Sequence, residues 1–249
     1  MVVVAKSRYP SVWAREAAER AAEERRAAEP PSSPTRAQIV RAAVEILDAE
    51  GLDALSMRRL GAKLGMGATS LYWYVANKTE LLDLAIDEIY REVEVPEEGH
   101  WQLAASVFAY SMRQTLLRHP WAARLIGTRA NIGPNSMAVA EKCLALFQNA
   151  GFHGVEADHA VTTLMAYVLG ITTTETAWRE TVAAAKMSVE EWLAQHKPAI
   201  EYAVRDLPRL RSLMKEVQGD VDPREAQAVR FDFGLKAMLD GLAARLPAS

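Results

Sequence analysis

From residue 35 onwards, apolar residues recur every three or four positions, the spacing that places side chains on one face of an α-helix. This part of the chain lacks the strict alternation of apolar and polar residues that marks a half-buried strand. Glycine and proline interrupt the helical pattern and divide it into segments. The sequence therefore predicts an all-α fold with helices over 35–50, 56–64, 68–74, 78–94, 101–118, 120–127, 135–150, 156–182, 188–204, 208–217 and 223–246.

One early stretch is basic although the chain as a whole is acidic, with a formal net charge of -3. No acidic residue lies between Asp53 and Glu80, whereas two arginines and two lysines do. A local surface of this kind indicates contact with a polyanion such as a nucleic acid. Two short helices around a glycine are also common as plain structure, so the pattern alone leaves both explanations open.

The turn within this stretch predicts a helix-turn-helix. Leu60 and Leu64 lie one turn apart on a short helix, and Gly65 follows where a left-handed residue would end that helix. The next helix begins with Thr69 and Ser70, which are small enough to approach base edges in a major groove. Asn77 is a good N-cap for the helix that follows.

These features predict a DNA-binding surface. Base contacts are expected from Arg58, Thr69 and Ser70, and contacts with thymine methyl groups from Met57 or Ala68. Phosphate contacts are expected from the tyrosines and lysines nearby. For Trp73, packing and DNA contact remain equal alternatives. The complete predicted set is Met57, Arg58, Lys63, Ala68, Thr69, Ser70, Tyr72, Trp73, Tyr74 and Lys78.

Residues 35–93 resemble the DNA-binding domain of the tetracycline-repressor (TetR) family. The resemblance includes Glu50-Gly51-Leu52, Ser56 to Leu60, Leu71 to Val75 and Asn77-Lys78. It implies a homodimer that binds double-stranded, palindromic operator DNA, joined through its two long C-terminal helices. It also implies release from the operator by a small molecule.

The chain is predicted to have three parts. Residues 1–34 form a flexible or partly helical extension, for which an arm that contacts DNA is the alternative. Residues 35–77 form the three-helix DNA-binding head, and helix 78–94 connects it to the rest. Residues 78–249 form a helical body for ligand binding and dimerisation.

The last helix carries an apolar stripe of Phe231, Leu235, Met238 and Leu242. A monomer could bury this stripe internally, or it could pair with a second copy in a four-helix bundle. The TetR resemblance favours the pairing with a second copy.

The body is rich in large, soft side chains that suit either a plain core or an apolar pocket with a few polar anchors. We expect a bulky, partly apolar effector. Candidate ligand contacts are Trp101, Phe108, Met112, Trp121, Arg129, Asn131, Phe147, Thr163, Tyr167, Thr174 and Trp178.

The body also resembles, more weakly, the ligand domain of the tetracycline repressors, in Gly127-Thr128-Arg129 among other pieces. In those relatives a histidine just before this run holds the magnesium ion that carries the drug. Leu125 and Ile126 occupy those positions here. We therefore expect neither a metal ion nor a cofactor.

Other classes of protein are disfavoured. The single cysteine, Cys143, lies in an apolar helical run and is expected to be a buried thiol. The histidines lack the spacing of metal ligands, and each is expected to be a surface residue or a cap. Catalytic, phosphate-loop and dinucleotide motifs are absent. A membrane span is not expected either, and the protein should be cytoplasmic.

The predicted function is a ligand-responsive transcriptional regulator, most simply a repressor. The alternatives are an activator and a helical ligand-binding or interaction protein that does not bind an operator.

Overall fold

The computed structural model describes residues 34–129, 131–217 and 223–246, and within these ranges all regular structure is helical. The predicted all-α fold is confirmed, and most predicted bounds lie within two residues of the observed ones. The helices are α1 (Arg36–Glu50), α2 (Met57–Leu64), α3 (Ala68–Leu71), α4 (Lys78–Ile89), α5 (Trp101–Arg118), α6 (Pro120–Ile126), α7 (Pro134–Asn149), α8 (Val155–Ala184), α9 (Val189–Ala203), α10 (Pro208–Val217) and α11 (Pro223–Ala243). The predictions for residues 1–33, including the DNA-contacting arm, lie outside the described residues.

The head consists of α1, α2 and α3 around a small apolar core. A capping box begins α1, since Thr35 accepts from the Gln38 amide and Gln38 bonds back to the Thr35 amide. Ser56 caps α2 in a similar way through the Arg59 amide. The inner faces bury a set of side chains that fixes the relative positions of the three helices. This set is Ile39, Ala43, Ile46, Leu47, Leu55, Leu60, Leu71 and Val75.

Three predicted helices end at least three residues earlier than expected, and one of them is α11, which stops at Ala243 rather than at 246. The third helix of the head stops at Leu71, and Tyr72 to Tyr74 follow as a turn in which the Tyr74 amide bonds to the Leu71 carbonyl at 2.9 Å. The connector α4 stops at Ile89 and tightens into a 3-10 turn, Tyr90–Glu92. Such tightening is common where helices end.

The body is organised around α8, the longest helix, which packs against α5, α6, α7 and α11. Its core includes Phe108 and Met112 from α5, Phe147 from α7 and Phe231 from α11. Cys143 is buried as predicted, and burial raises the pKa of its thiol to about 12.

The predicted stripe on α11 packs inside the protomer. Phe231 and Leu235 are buried against the body core, so the internal alternative holds for them. The opposite side of α11 carries Val229 and Phe233, which are 66% and 79% exposed. This second face is the one that remains available to another copy of the chain.

Helices α9 and α10 pack very little against the rest of the protomer. Helix α9 has no buried residue. Several apolar side chains of α9 and α10 and of the turn between them are exposed, namely Leu193, Tyr202, Leu207, Leu210 and Leu213. None of the described helices is long and apolar enough to cross a membrane.

Candidate DNA interface and ligand cavities

The turn between α2 and α3 depends on two glycines. Gly65 adopts a left-handed conformation with φ of 69° and ends α2, as predicted. Gly61 was not identified from the sequence, and it is the more constrained of the two. A Cβ atom on Gly61 would lie 2.6 Å from the Met66 carbonyl oxygen. A glycine in an amphipathic helix, four residues before a turn, is the signal that would have identified this close approach.

The start of α3 and the turn after it present an open surface. Thr69 and Ser70 are exposed, and neither is covered by another helix. Trp73 is 89% exposed and Tyr72 is 53% exposed. Trp73 therefore does not pack into the head, so of its two predicted roles, packing and DNA contact, the packing role is excluded. Tyr74 and Ala68 are each partly buried against the core of the head.

The basic side chains of the head differ in their partners. Lys78 donates to the Leu52 carbonyl at 3.0 Å, which holds its ammonium group beside the loop after α1. Lys63 pairs with Glu45 at 2.8 Å on the surface. Arg58 is exposed and forms no ion pair among the described residues. Met57, in contrast, is 9% exposed and belongs to the head core, so its side chain does not face the solvent.

The connector α4 is held to the body by its acidic side chains. Asp83 pairs with Arg129 at 2.6 Å. Asp87 is buried and accepts from the Ser136 amide at 2.9 Å and from the Asn135 side chain at 2.9 Å. A carboxylate at the start of α7 also has a favourable interaction with the helix dipole. Arg129 thus holds the connector, and Asn131 lies beside it near Asp83.

A buried histidine joins head, connector and body. Its Nδ1 lies 2.7 Å from Asp48 Oδ1 on α1, and its Nε2 lies 3.1 Å from Glu92 Oε1 at the end of the connector. This residue, His119, occupies the bend between α5 and α6. The Trp121 indole also donates to Asp48 Oδ1 at 2.7 Å. The expectation of a surface histidine is wrong for His119, which is buried. His119 does occupy the cap position between α5 and α6, but its side chain bonds to residues far away in sequence instead of capping a helix.

A buried ion pair lies at the centre of the body. Both the Nε and the Nη2 of Arg113 donate to Glu175 Oε2, at 3.1 and 2.8 Å. Arg179 donates to the other carboxylate oxygen at 2.6 Å. The guanidinium of Arg113 lies over the Phe231 ring, 4.9 Å from its centroid. Two arginines on one carboxylate satisfy a charge that would be costly to bury alone.

Apart from Arg129 and Asn131 beside the connector, the predicted ligand residues divide into four groups in the structure. Phe108, Met112, Trp121 and Phe147 are buried core residues. Thr163 and Thr174 are exposed, and their hydroxyls bond to carbonyls of their own helix. Tyr167 donates to the Phe231 carbonyl at 2.6 Å, between α8 and α11. Only Trp101 and Trp178 line cavities of appreciable volume in the part of the chain that the structure describes.

These two cavities differ in their surroundings. One of about 610 Å³ lies between the end of α8, the start of α9 and α11, and Glu175, Trp178, Arg179, Val182 and Gln227 are among its lining residues. The other, of about 660 Å³, lies beside Trp101 and the loop before α5, and its lining includes several surface carboxylates. The first cavity reaches the buried ion pair and the second does not. No cluster suited to a metal ion occurs among the described residues.

Comparisons with known proteins cover both parts of the chain. Residues 39–85 match the bacterial regulatory proteins of the tetR family, and residues 95–246 match the tetracyclin repressor-like C-terminal domain. An HTH-type transcriptional regulator of Saccharopolyspora erythraea is 38% identical over 84% of this chain and 85% of its own length. The HTH-type transcriptional repressor DrrR1 of Streptomyces coeruleorubidus is 35% identical over 82% of this chain and 76% of its own length.

A solved structure of a TetR family protein has a similar fold. The TetR family protein ActR of Streptomyces coelicolor, in complex with actinorhodin, superposes with a TM-score of 0.71. It is 31% identical in sequence, and the match covers 86% of this chain and 97% of that one. The fold and the order of head and body are therefore shared along nearly the whole described length.

Proposed function

Because this chain belongs to the TetR family of transcriptional regulators, we propose that it is a homodimeric repressor that binds a palindromic operator and is released by a bulky, partly apolar small molecule. The open surface of α3 is the observation that carries the DNA-binding part. Thr69, Ser70 and Trp73 stand clear of the rest of the head at the point where a recognition helix enters the major groove.

Within this surface, each residue has a proposed role. Arg58, Thr69 and Ser70 contact base edges, and Trp73 contacts DNA through its exposed ring. Tyr72 and Lys78 hold phosphates, as do Tyr74 and Lys63 at the edge of the surface. Since Lys63 also pairs with Glu45, its contribution is smaller than that of Lys78.

The dimer is supported by the exposed faces of α8 and α11. Thr163, Ala166, Gly170, Thr174 and Ala177 lie on one exposed side of α8, spaced three or four residues apart. Small side chains permit close approach of another helix, and a Cβ on Gly170 would meet nothing within 4 Å in the protomer. On α11, Val229 and Phe233 are large apolar side chains that such a surface can accommodate.

Light scattering coupled to size exclusion tests the dimer. Phe233→Glu places a charge in the proposed interface and is expected to yield monomers. Ile132→Glu is the matched control, because Ile132 is also an exposed apolar residue, 51% exposed, but lies in the loop before α7. Equal masses for the two variants would contradict this choice of interface.

The effector is proposed to bind in the cavity beside Trp178. Its volume of about 610 Å³ is within the usual range for small-molecule sites. Trp178 offers an aromatic surface, and Arg179, Glu175 and Gln227 offer polar anchors. Glu175 is bonded to Arg113 on α5. A ligand that forms a hydrogen bond with Arg179 or Glu175 therefore perturbs the buried ion pair at the centre of the body.

The connector α4 carries the proposed switch. It begins at the head with the Asn77 cap and is fixed to the body through Asp83 and Asp87. A tilt of α4 would change the spacing of the two heads in a dimer. Only a ligand that binds one arrangement more tightly than the other can produce this change.

Selection of duplexes from a random pool with the full chain tests operator binding. We expect enrichment of a palindrome whose half-sites lie about one helical turn apart. The double variant Thr69→Ala/Ser70→Ala should lose preference for that palindrome while it retains non-specific binding. Enrichment of no common sequence would refute the repressor proposal and support the interaction-protein alternative.

Release of the selected operator by aromatic small molecules tests the effector site. Actinorhodin, which ActR binds, is the first probe. Trp178→Ala should weaken release, whereas His100→Ala, which alters the second cavity, should leave it unchanged. Equal release from both variants would exclude the Trp178 cavity as the effector site.

A further inference from the structure

The bend between α5 and α6 brings three parts of the molecule to one side chain. Pro120 begins α6, and the residue before a proline is restricted to non-helical conformations, so α5 must end at Arg118. His119 in between has φ of -118° and ψ of 65°. This backbone directs its imidazole between the last turn of α1 and the end of the connector.

The contacts of this imidazole require two donors. Asp48 and Glu92 are carboxylates, and they face opposite ring nitrogens at 2.7 and 3.1 Å. A neutral imidazole has one N–H and can donate to only one of them, whereas an imidazolium donates to both. The side chain of His119 is 8% exposed, so water cannot easily replace the missing donor.

The surrounding charges favour the imidazolium. Burial by itself lowers the pKa of His119, but the hydrogen bonds and charges of Asp48 and Glu92 together outweigh burial and raise the pKa above its ordinary value. Within the described part of the chain, Arg118 is the cation that pairs with a carboxylate of this junction. It pairs with the other oxygen of Glu92 at 2.8 Å, so it orients Glu92 and partly offsets its charge.

We propose that His119 is a positioning residue for operator binding: held as an imidazolium between Asp48 and Glu92, it fixes the angle of the DNA-binding head relative to the connector and body. The inference rests on the proposed repressor function. Asp48 belongs to the head, Glu92 to the end of the connector and His119 to the body. Loss of the Asp48 bond therefore separates the head from the body, and loss of the Glu92 bond separates the connector from the body.

The sign of the pH dependence follows from the raised pKa. The stabilisation of the junction is complete below the ordinary histidine pKa of about 6.5 and is lost as the pH rises through the higher pKa of the folded protein. Specific operator binding should therefore weaken as the pH rises above about 6.5. Non-specific DNA binding should change much less, because it does not require a fixed angle between two heads.

Nuclear magnetic resonance of the full chain tests the junction without DNA. The indole N–H of Trp121 donates to the same oxygen as His119, so its chemical shift reports the protonation of the imidazole. We expect this resonance, assigned with Trp121→Phe, to titrate with a midpoint above about 6.5. In His119→Gln it should be flat between pH 6 and 9. A flat profile in the wild type, or the same titration in His119→Gln, would refute the proposal.

Operator affinity against pH is the second measurement. Between pH 6.5 and 9, wild-type affinity for the selected operator should fall about fivefold or more relative to a random duplex, the lower end of ordinary coupling energies. His119→Gln should give a flat ratio. Glu92→Gln removes one carboxylate and keeps the histidine, so it should shift the midpoint to lower pH. An unchanged midpoint in this variant would mean that packing, and not the charge of Glu92, is responsible for the pH dependence.

The outcomes separate the two proposals. Specific binding with the same pH profile in the wild type and His119→Gln refutes the role of His119 and leaves the repressor function intact. The absence of sequence preference at every pH refutes both.

Discussion

The helix caps of the head and the buried ion pair of the body differ in how far apart the bonded groups lie along the chain. In the head, the caps at Thr35, Ser56 and Asn77 each bond to a group three residues away. In the body, Arg113 and Glu175 are 62 residues apart. The caps of the head are therefore short, independent contacts, whereas the ion pair of the body ties distant helices together. A break in the first should remain local, and a break in the second should affect the whole chain.

The largest effect is expected at the buried ion pair. Arg113→Met would leave Glu175 buried with only its outer partner, and removal of one member of a buried pair typically costs about 3–5 kcal/mol. Arg179→Met removes the other arginine from the same carboxylate, but its side chain is 47% exposed, so a loss of about 1 kcal/mol or less is expected.

Urea unfolding at one fixed protein concentration gives both free energies of unfolding, since a dimer's stability depends on concentration. Losses of similar size in the two variants would show that the burial of an arginine does not govern how much its ion pair with Glu175 contributes to stability. That result would remove the contrast between the body and the head.

The next effect is confined to the head. Gly61→Ala brings a Cβ to 2.6 Å from the Met66 carbonyl, which forces the backbone of the turn to move. Overpacking of this kind costs about 1–3 kcal/mol. Gly127→Ala is the control, because a Cβ there meets nothing within 4 Å. Hydrogen exchange should accelerate in α2 and α3 of the Gly61 variant but not in α8, and accelerated exchange in α8 would show that the head is not an independent unit.

A smaller effect is expected at the start of the connector. Asn77→Ala removes the side-chain oxygen that accepts from the Glu80 amide at 2.9 Å, and loss of such a cap costs about 1 kcal/mol. Asn77→Ser keeps an accepting oxygen and should restore most of the stability in thermal unfolding. If serine and alanine behaved alike, the cap would not be what holds α4 at the head.

The same contrast explains what could be predicted from the sequence. The Asn77 cap, the left-handed Gly65 and most of the helix bounds follow from neighbouring residues, so they could be recognised. The fold class and the open start of α3 followed too.

The contact of His119 and Trp121 with Asp48 could not be predicted, because it depends on the relative placement of α1 and α6. Trp121 is a large aromatic residue of the kind expected in a ligand site, yet its indole donates to Asp48 in the head. The close approach at Gly61 was missed because the helical pattern alone does not show which backbone lies opposite.

The smallest effect is expected at Lys78. Its ammonium group has three donors, and the bond to the Leu52 carbonyl uses one, so two remain for a phosphate. Lys78→Ala should weaken binding to the operator and to a random duplex by the same factor and reduce the slope of log affinity against log salt by about one. Lys142→Ala, which removes a lysine paired with Glu97 on the body, should leave the slope unchanged. An unchanged slope in Lys78→Ala would mean that the lysine serves only to join the connector to the loop after α1, and the phosphate contacts of the head would then come from the tyrosines, Lys63 and Arg58.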